Sequence, residues 1–178
     1  MARPTSRIML PLGLVLALLA MAPAAVVANE QMVAQICKST PYPELCTATA
    51  GKQVGHYAAS PVDALAVLNM QVDAFEKRTA AARARVGKVS AGVTPKAKEA
   101  LDLCDNLYND VIDALGAARR AIVFKDAVTI RAMMSMAAQA MQGCDEKFRQ
   151  VGEKNPMTRF DQSLLNISEN CRALSNKI

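Results

Sequence analysis

One stripe of side chains limits this chain more than any other feature. Ala97, Leu101, Cys104, Tyr108, Val111, Leu115, Ala118 and Ile122 recur at steps of four and three, which keeps them on one face of an α-helix and on no face of a strand. Three further stripes share the period. Val62, Leu65, Val72, Phe75, Ala82, Val86 and Val89 run until Gly92. Met133, Ala137, Ala140, Cys144, Phe148 and Val151 come next, and Phe160, Leu164, Ile167, Cys171, Leu174 and Ile178 close the chain after a break over Gly152–Pro156. Helix starts are marked too. Ser60 reads as a cap with Pro61 in the first helical position and Asp63 completing a variant capping box; Thr94-Pro95 repeats the device, and Asp126 caps the third stripe. Ala, Leu, Val and Met dominate, while Thr and aromatics are scarce, which favours helix over sheet. Four amphipathic helices with short connections predict an all-α protein, an up-and-down four-helix bundle. Met133, Met134, Met136 and Met141 are expected as core filling.

Ahead of the stripes lies a leader. Met1–Arg7 carries Arg3 and Arg7 and no acid, Ile8–Ala20 is almost wholly apolar, and Val26 and Ala28 occupy the −3 and −1 positions of a cleavage site before Asn29. This is the layout of a secretory signal peptide over residues 1–28, with an apolar core too short to span a bilayer comfortably. The mature chain, 29–178, is expected to be one exported domain without a membrane anchor. It divides into an N-terminal helical hairpin (29–56) and the bundle (60–178). Removing Arg3 and Arg7 lowers the formal charge from +5 to +3. The one basic cluster is Lys77, Arg78, Arg83, Arg85 and Lys88; with three Tyr, four Phe and no Trp there is no stacking surface for nucleic acid. A solvated helix face is the plain reading of the cluster, and an acidic cell-surface polymer the less obvious one.

The cysteines act as rulers. Cys37 and Cys46 bracket Pro41 and Pro43 and naturally pair with each other, stapling a short hairpin (Glu30–Lys38 and Glu44–Gly51) into a rigid arm for the end of the bundle. Cys104 and Cys144 are equidistant from the turn near residue 124, so an antiparallel hairpin sets them at the same height, where a disulfide is natural. Cys144 with Cys171 misses its turn centre by about one helical turn; that pairing is less favoured but stays open. Cys171, on a core stripe, reads as a buried free thiol.

Catalytic chemistry is largely missing. His56 is the single histidine, in a Val-Gly-His-Tyr turn, and no Ser-His-Asp or Cys-His arrangement accompanies it. A di-metal carboxylate bundle needs two Glu-x-x-His pairs, and no Gly-rich phosphate loop or zinc spacing occurs. No cofactor and no metal are expected. A binding or inhibitory protein outranks an enzyme.

A secreted helical chain with Cys37-x8-Cys46, a Tyr-Pro-Glu-Leu-Cys second cysteine, then Cys104, Cys144 and one late cysteine resembles the plant invertase and pectin methylesterase inhibitor family. Its best local matches are "CDNLYNDVIDAL" (Cys104–Leu115) and "CDEKF" (Cys144–Phe148). The resemblance implies an N-terminal hairpin on a four-helix bundle, with bonds between the first and second and between the third and fourth cysteines. It also implies one of two targets. Inhibitors of acid invertase carry a Pro-Lys-Phe turn between the third and fourth cysteines; here that stretch reads Lys125-Asp126-Ala127-Val128-Thr129-Ile130. The late cysteine and the Tyr108-x-Asp110-x-x-Asp113 run favour the pectin methylesterase branch, in which the second to fourth bundle helices cover the pectin cleft. The expected function is a secreted inhibitor of plant pectin methylesterase in the apoplast, acting by a reversible 1:1 complex. The alternatives are an inhibitor of cell-wall or vacuolar acid invertase, and a non-inhibitory storage or ligand-binding protein. The chain is expected as a monomer or a hairpin-swapped dimer.

Asp110 and Asp113 match acidic partner-binding positions implied by the resemblance, and Gln142 and Glu146 join them as partner-binding candidates by their outward placement. Gly143 stands where the branch often has a contacting Thr before the fourth cysteine. At about 100° per residue the two aspartates point away from Tyr108 and so outward, and Gln142 and Glu146 do the same on their helix. Asn166 opens the single Asn-x-Ser/Thr sequon and is the glycosylation candidate.

Overall fold

A helix leaves its first backbone N–H groups unpaired, so its start is set by whichever side-chain oxygen can take them. The computed structural model describes residues 24–57 and 61–178. In chain order its elements are α1 (Ala24–Cys37), α2 (Pro43–Gly51), a one-turn 3₁₀ helix (Val54–Tyr57), α3 (Ala64–Val89), α4 (Pro95–Val123), α5 (Ala127–Val151) and α6 (Thr158–Ser175). The leader up to residue 23 and the expected Ser60 cap lie outside the described residues. The cap of α3 is Asp63, whose Oδ1 accepts from the Ala66 N–H at 2.8 Å. Pro61 and Val62 precede the helix, correcting the Ser60 reading: Asp caps as well as Ser, and its extended backbone ends the approach to the helix. Thr94 and Asp126 cap α4 and α5 as expected, accepting from Ala97 at 3.1 Å and Thr129 at 3.0 Å. Gly152 ends α5 in the left-handed region at φ 72°, where only glycine avoids a Cβ penalty.

Each of α3 to α6 packs against its chain neighbours, and α6 closes the ring against α3. All eight residues of the α4 stripe are buried. On α3 the buried arc is wider than the stripe and takes in Val67, Leu68, Met70, Gln71 and Thr79, because that helix is covered by the bundle on one side and by the hairpin on the other. The methionines divide. Met134 and Met141 are fully buried, whereas Met136 is 55% exposed. Two residues on from Met134 is about 200° round the helix, so Met136 belongs to the outer face and is not core filling.

In the uncleaved chain α1 runs back to Ala24, over residues that the expected cleavage before Asn29 would remove from the hairpin. The hairpin docks on the flank of α3 and α6, near the end where α3 begins and α6 finishes. Buried Gln71 donates through Nε2 to the Cys46 carbonyl at 3.0 Å and to Thr49 Oγ1 at 2.7 Å. Asn170 accepts the Tyr42 N–H at 2.9 Å and donates to the Tyr42 carbonyl at 3.0 Å. Polar side chains in a helical core are costly unless paired; Asn170 is paired to the arm through both ends of its amide and Gln71 through its nitrogen alone, its Oε1 having no partner among the described residues.

Cys37 bonds Cys46 and Cys104 bonds Cys144, with Cα–Cα distances of 5.6 and 4.9 Å. Cys171 is free and buried, and burial pushes its thiol pKa up. Non-reducing peptide mapping is expected to recover the two linked pairs, with Cys171 alkylated only after denaturation. Labelling of Cys171 in the native protein would contradict its place in the core.

Candidate functional site

The outer face of α4 and α5 gathers most of the residues singled out from the sequence. The two helices run antiparallel and are locked at Cys104–Cys144, so positions whose numbers sum to about 250 face one another: Leu107 with Gly143, Asp110 with Ala140, Ala114 with Met136. Toward the α4–α5 turn these residues border a groove of about 490 Å³, lined by Leu107, Asp110, Asp113, Met133, Met136 and Gln139 among others. Asp110 and Asp113 are exposed at its edge. Neither has an ion-pair partner among the described residues, so the groove offers an apolar floor beneath two uncompensated carboxylates.

The other candidates differ in kind. Gln142 is exposed on α5, outside the groove lining. Gly143 is a packing position: a Cβ there would sit 3.2 Å from Leu107 Cδ1, tighter than side chains normally tolerate. Its missing side chain lets Leu107 lie across α5 beside the groove. Glu146 is already satisfied within its own helix. Its oxygens accept from Arg149 at 2.6 and 2.7 Å and from Gln150 at 2.9 Å, and the Arg149 hydrogen bonds pull its pKa below the usual carboxylate range. Lys147 reaches across to Glu99 at 2.6 Å and ties the far end of the face. Asn166 is half-buried on α6 and accepts from Gln162 Nε2 at 2.9 Å; His56 is exposed in the 3₁₀ turn.

Two features escaped the sequence reading. The α4–α5 turn is an apolar tip, with Val123, Phe124 and Val128 exposed by 78, 81 and 69% and Lys125 held at φ 54°. The available signal was that these apolar residues fall off the stripe ending at Ile122. The second is a buried polar network below the face. Asp161 is wholly inaccessible; it accepts from Tyr108 Oη at 2.5 Å and from Asn155 Nδ2 at 3.0 Å. The same Asn155 amide donates to Asp145, while its Oδ1 takes the Met157 N–H at 2.7 Å and so fixes the start of α6. Burial drives the Asp161 pKa up to about 6; the Tyr108 and Asn155 hydrogen bonds oppose that rise and the Asp145 charge adds to it.

Comparison with known proteins bears on what such a face is for. A family model described as plant invertase/pectin methylesterase inhibitor matches residues 31–174. The chain is 29% identical over 152 residues to an Arabidopsis thaliana protein named "Probable pectinesterase/pectinesterase inhibitor 34", an overlap of 82% of this chain and 25% of that one. It therefore spans a quarter of that relative's length. It is 25% identical over 150 residues to the pectinesterase inhibitor of Actinidia deliciosa, covering 81% of this chain and 76% of the relative. Two crystal structures of pectin methylesterase inhibitors from Arabidopsis share the fold. A mutant form gives a TM-score of 0.64 at 16% identity, covering 82% of this chain and 96% of its own. The second gives 0.60 at 20% identity, covering 82% and 95%.

Proposed function

The chain belongs to the plant invertase/pectin methylesterase inhibitor family, a family of proteinaceous inhibitors, and from that premise we propose that it inhibits a plant pectin methylesterase by covering the pectin cleft with its α4–α6 side. The observation that carries this is the pair of unpartnered carboxylates, Asp110 and Asp113, above the apolar floor of the α4–α5 groove. A cleft built to bind a carboxylate-bearing polymer offers cations, and two fixed acids on a rigid helix imitate the substrate's charge. Such complementarity guides approach and register, while Leu107, Met133 and Met136 contribute apolar contact. The complex is 1:1 and reversible, since blocking a cleft requires no bond to form or break. Residues 1–28 act as an export leader for the domain 29–178, which brings the inhibitor to the cell wall. Among the described residues no helix is long and apolar enough to cross a membrane.

The charge pair is directly testable. Replacing Asp110 and Asp113 by Asn is expected to weaken inhibition by about 1–3 kcal/mol, roughly 5- to 150-fold in the inhibition constant. Melting temperature should hardly move, because both side chains are exposed. Inhibition equal to wild type across a range of ionic strengths would reduce the pair to solvated surface.

The tip of the α4–α5 turn favours a second reading, inhibition of acid invertase. An exposed Phe124 beside Lys125 stands in the turn where invertase inhibitors of the family carry Pro-Lys-Phe. The proline is missing, and the residue order differs. Phe124→Ala separates the readings: it should abolish invertase inhibition if the tip enters that active site, and leave esterase inhibition largely intact if the groove is the contact.

A further inference from the structure

The α3–α6 edge lies on the opposite side of the ring from the α4–α5 groove, and it has the opposite character. Where α2 docks there, a cleft of about 430 Å³ opens between hairpin and bundle, with Lys52, Lys77 and Arg78 around it and Leu45, Ala81 and Ser163 on its walls. No acid lines it. The acids of the surrounding elements are engaged or distant. Asp73 and Glu76 of α3 both pair with Arg119 at 2.7 and 2.5 Å, Glu169 of α6 pairs with Arg172 at 2.8 Å, and Glu44 stands at the start of α2, two turns from Lys52. Among the described residues these cations have no carboxylate partner. Lys77 donates to the neutral Gln53 at 2.9 Å. The Arg78 guanidinium rests on the Phe160 ring, 4.3 Å from its centroid, and its buried Nε has no hydrogen-bond partner. At 100° per residue, Arg85 and Lys88 continue the same side of α3, both exposed.

We propose that this cleft binds a linear polysaccharide bearing free carboxylates, the chemical class that a pectin methylesterase produces when it removes methyl esters. The inference rests on the target assigned above. A carboxylate fits a guanidinium whose stacking fixes its plane. Lys52 and Lys77 supply flanking charge, the Ser163 hydroxyl suits sugar oxygens, and Leu45 and Ala81 suit the apolar face of a sugar ring. The cleft has the size of a small-ligand site, and the basic row on α3 extends it along a chain. Because the two edges face away from each other across the ring, the same molecule can hold de-esterified polymer at the α3–α6 edge while its α4–α5 groove covers the enzyme that made it.

Calorimetric titration of the protein alone, with no enzyme present, tests this against three probes: a de-esterified oligogalacturonide, its fully methyl-esterified counterpart, and phosphatidylglycerol vesicles. Saturable binding is expected for the first probe only, weakening with added salt. Lys52→Gln with Lys77→Gln should weaken it roughly tenfold or more, whereas Lys96→Gln with Lys98→Gln, which removes two exposed charges at the far end of α4, should not. Arg78→Lys, which keeps charge but not the planar fork, should also weaken binding. Absence of binding, equal binding to the esterified oligomer or the vesicles, or equal loss in both double variants would overturn the proposal. Esterase inhibition by the Lys52/Lys77 variant, assayed separately, should be unchanged, so failure of either reading is seen independently of the other.

Discussion

Replacing Cys104 and Cys144 together by Ala is expected to lower stability by about 4 kcal/mol, from the chain entropy released when the bridge that joins residues 40 apart is cut. For a domain of this size that is a fall of roughly 8–16 °C in melting temperature. Ala is the apt replacement, because both sulfurs sit in the core and a serine hydroxyl would be buried there. The consequence reaches the functional face. The bridge sets the relative height of α4 and α5 within one turn of Leu107 and Gly143, whose close contact borders the groove below Asp110 and Asp113. The variant should therefore lose inhibitory strength even at temperatures where it remains folded. The matching Cys37/Cys46 variant should behave differently: hydrogen exchange is expected to rise in α1 and α2 while the bundle amides stay protected. A melting temperature unchanged by loss of Cys104–Cys144 would show that packing alone sets the register.

The second large effect depends on pH. Asp161 has a folded-state pKa of about 6 against an ordinary value of 3.8. A carboxyl raised on folding contributes stability that is complete below its unfolded pKa and is lost as pH rises through its folded pKa. The network thus favours the fold in acid, and between about pH 3 and pH 7 its contribution declines by roughly 3 kcal/mol. Asp161→Asn removes the titration while keeping an oxygen for the Tyr108 hydroxyl. Relative to the variant, wild type should lose about 3 kcal/mol between pH 3 and pH 7, most of it between pH 4 and 6. Asp126 and Glu146, whose pKa values are lowered by hydrogen bonds from Thr129 and Arg149 respectively, act in the opposite sense but equally in both proteins. Chemical denaturation at several pH values measures the difference; parallel pH profiles for wild type and Asp161→Asn would contradict the account.

These two predictions also separate what could be read from the sequence from what could not. The α4 stripe was legible residue by residue, because one helix packed on two neighbours with one face obeys the helical period and little else. Thr94 and Asp126 were legible as caps, since capping is local. The α3 boundary was not: Pro61 suits a first helical position, yet the cap is Asp63, two residues on. Nor was the wide burial of α3, because a polar Gln71 in the core makes sense only once the Cys46 carbonyl is beside it. Asp161 reads as a solvated acid in the first turn of α6; the partner that buries it, Tyr108, is 53 positions away. At the candidate site, periodicity turned Asp110 and Asp113 outward, but it could not foresee that Glu146 is occupied by Arg149 or that Gly143 makes room for Leu107. Met136 was misplaced because methionine's chemistry suits core and surface alike, so only its angle from Met134 assigns it.

The claim that the α4–α5 face blocks an esterase is tested most directly by titrating a purified plant pectin methylesterase with residues 29–178 at fixed enzyme concentration, while weighing the complex by native mass spectrometry. The account predicts activity falling to a floor near equimolar inhibitor, recovery on dilution, competition by pectin, and a complex mass of one enzyme plus one inhibitor. Acid invertase titrated in parallel should retain its activity. Full esterase activity in the presence of excess inhibitor, with or without loss of invertase activity, would contradict it.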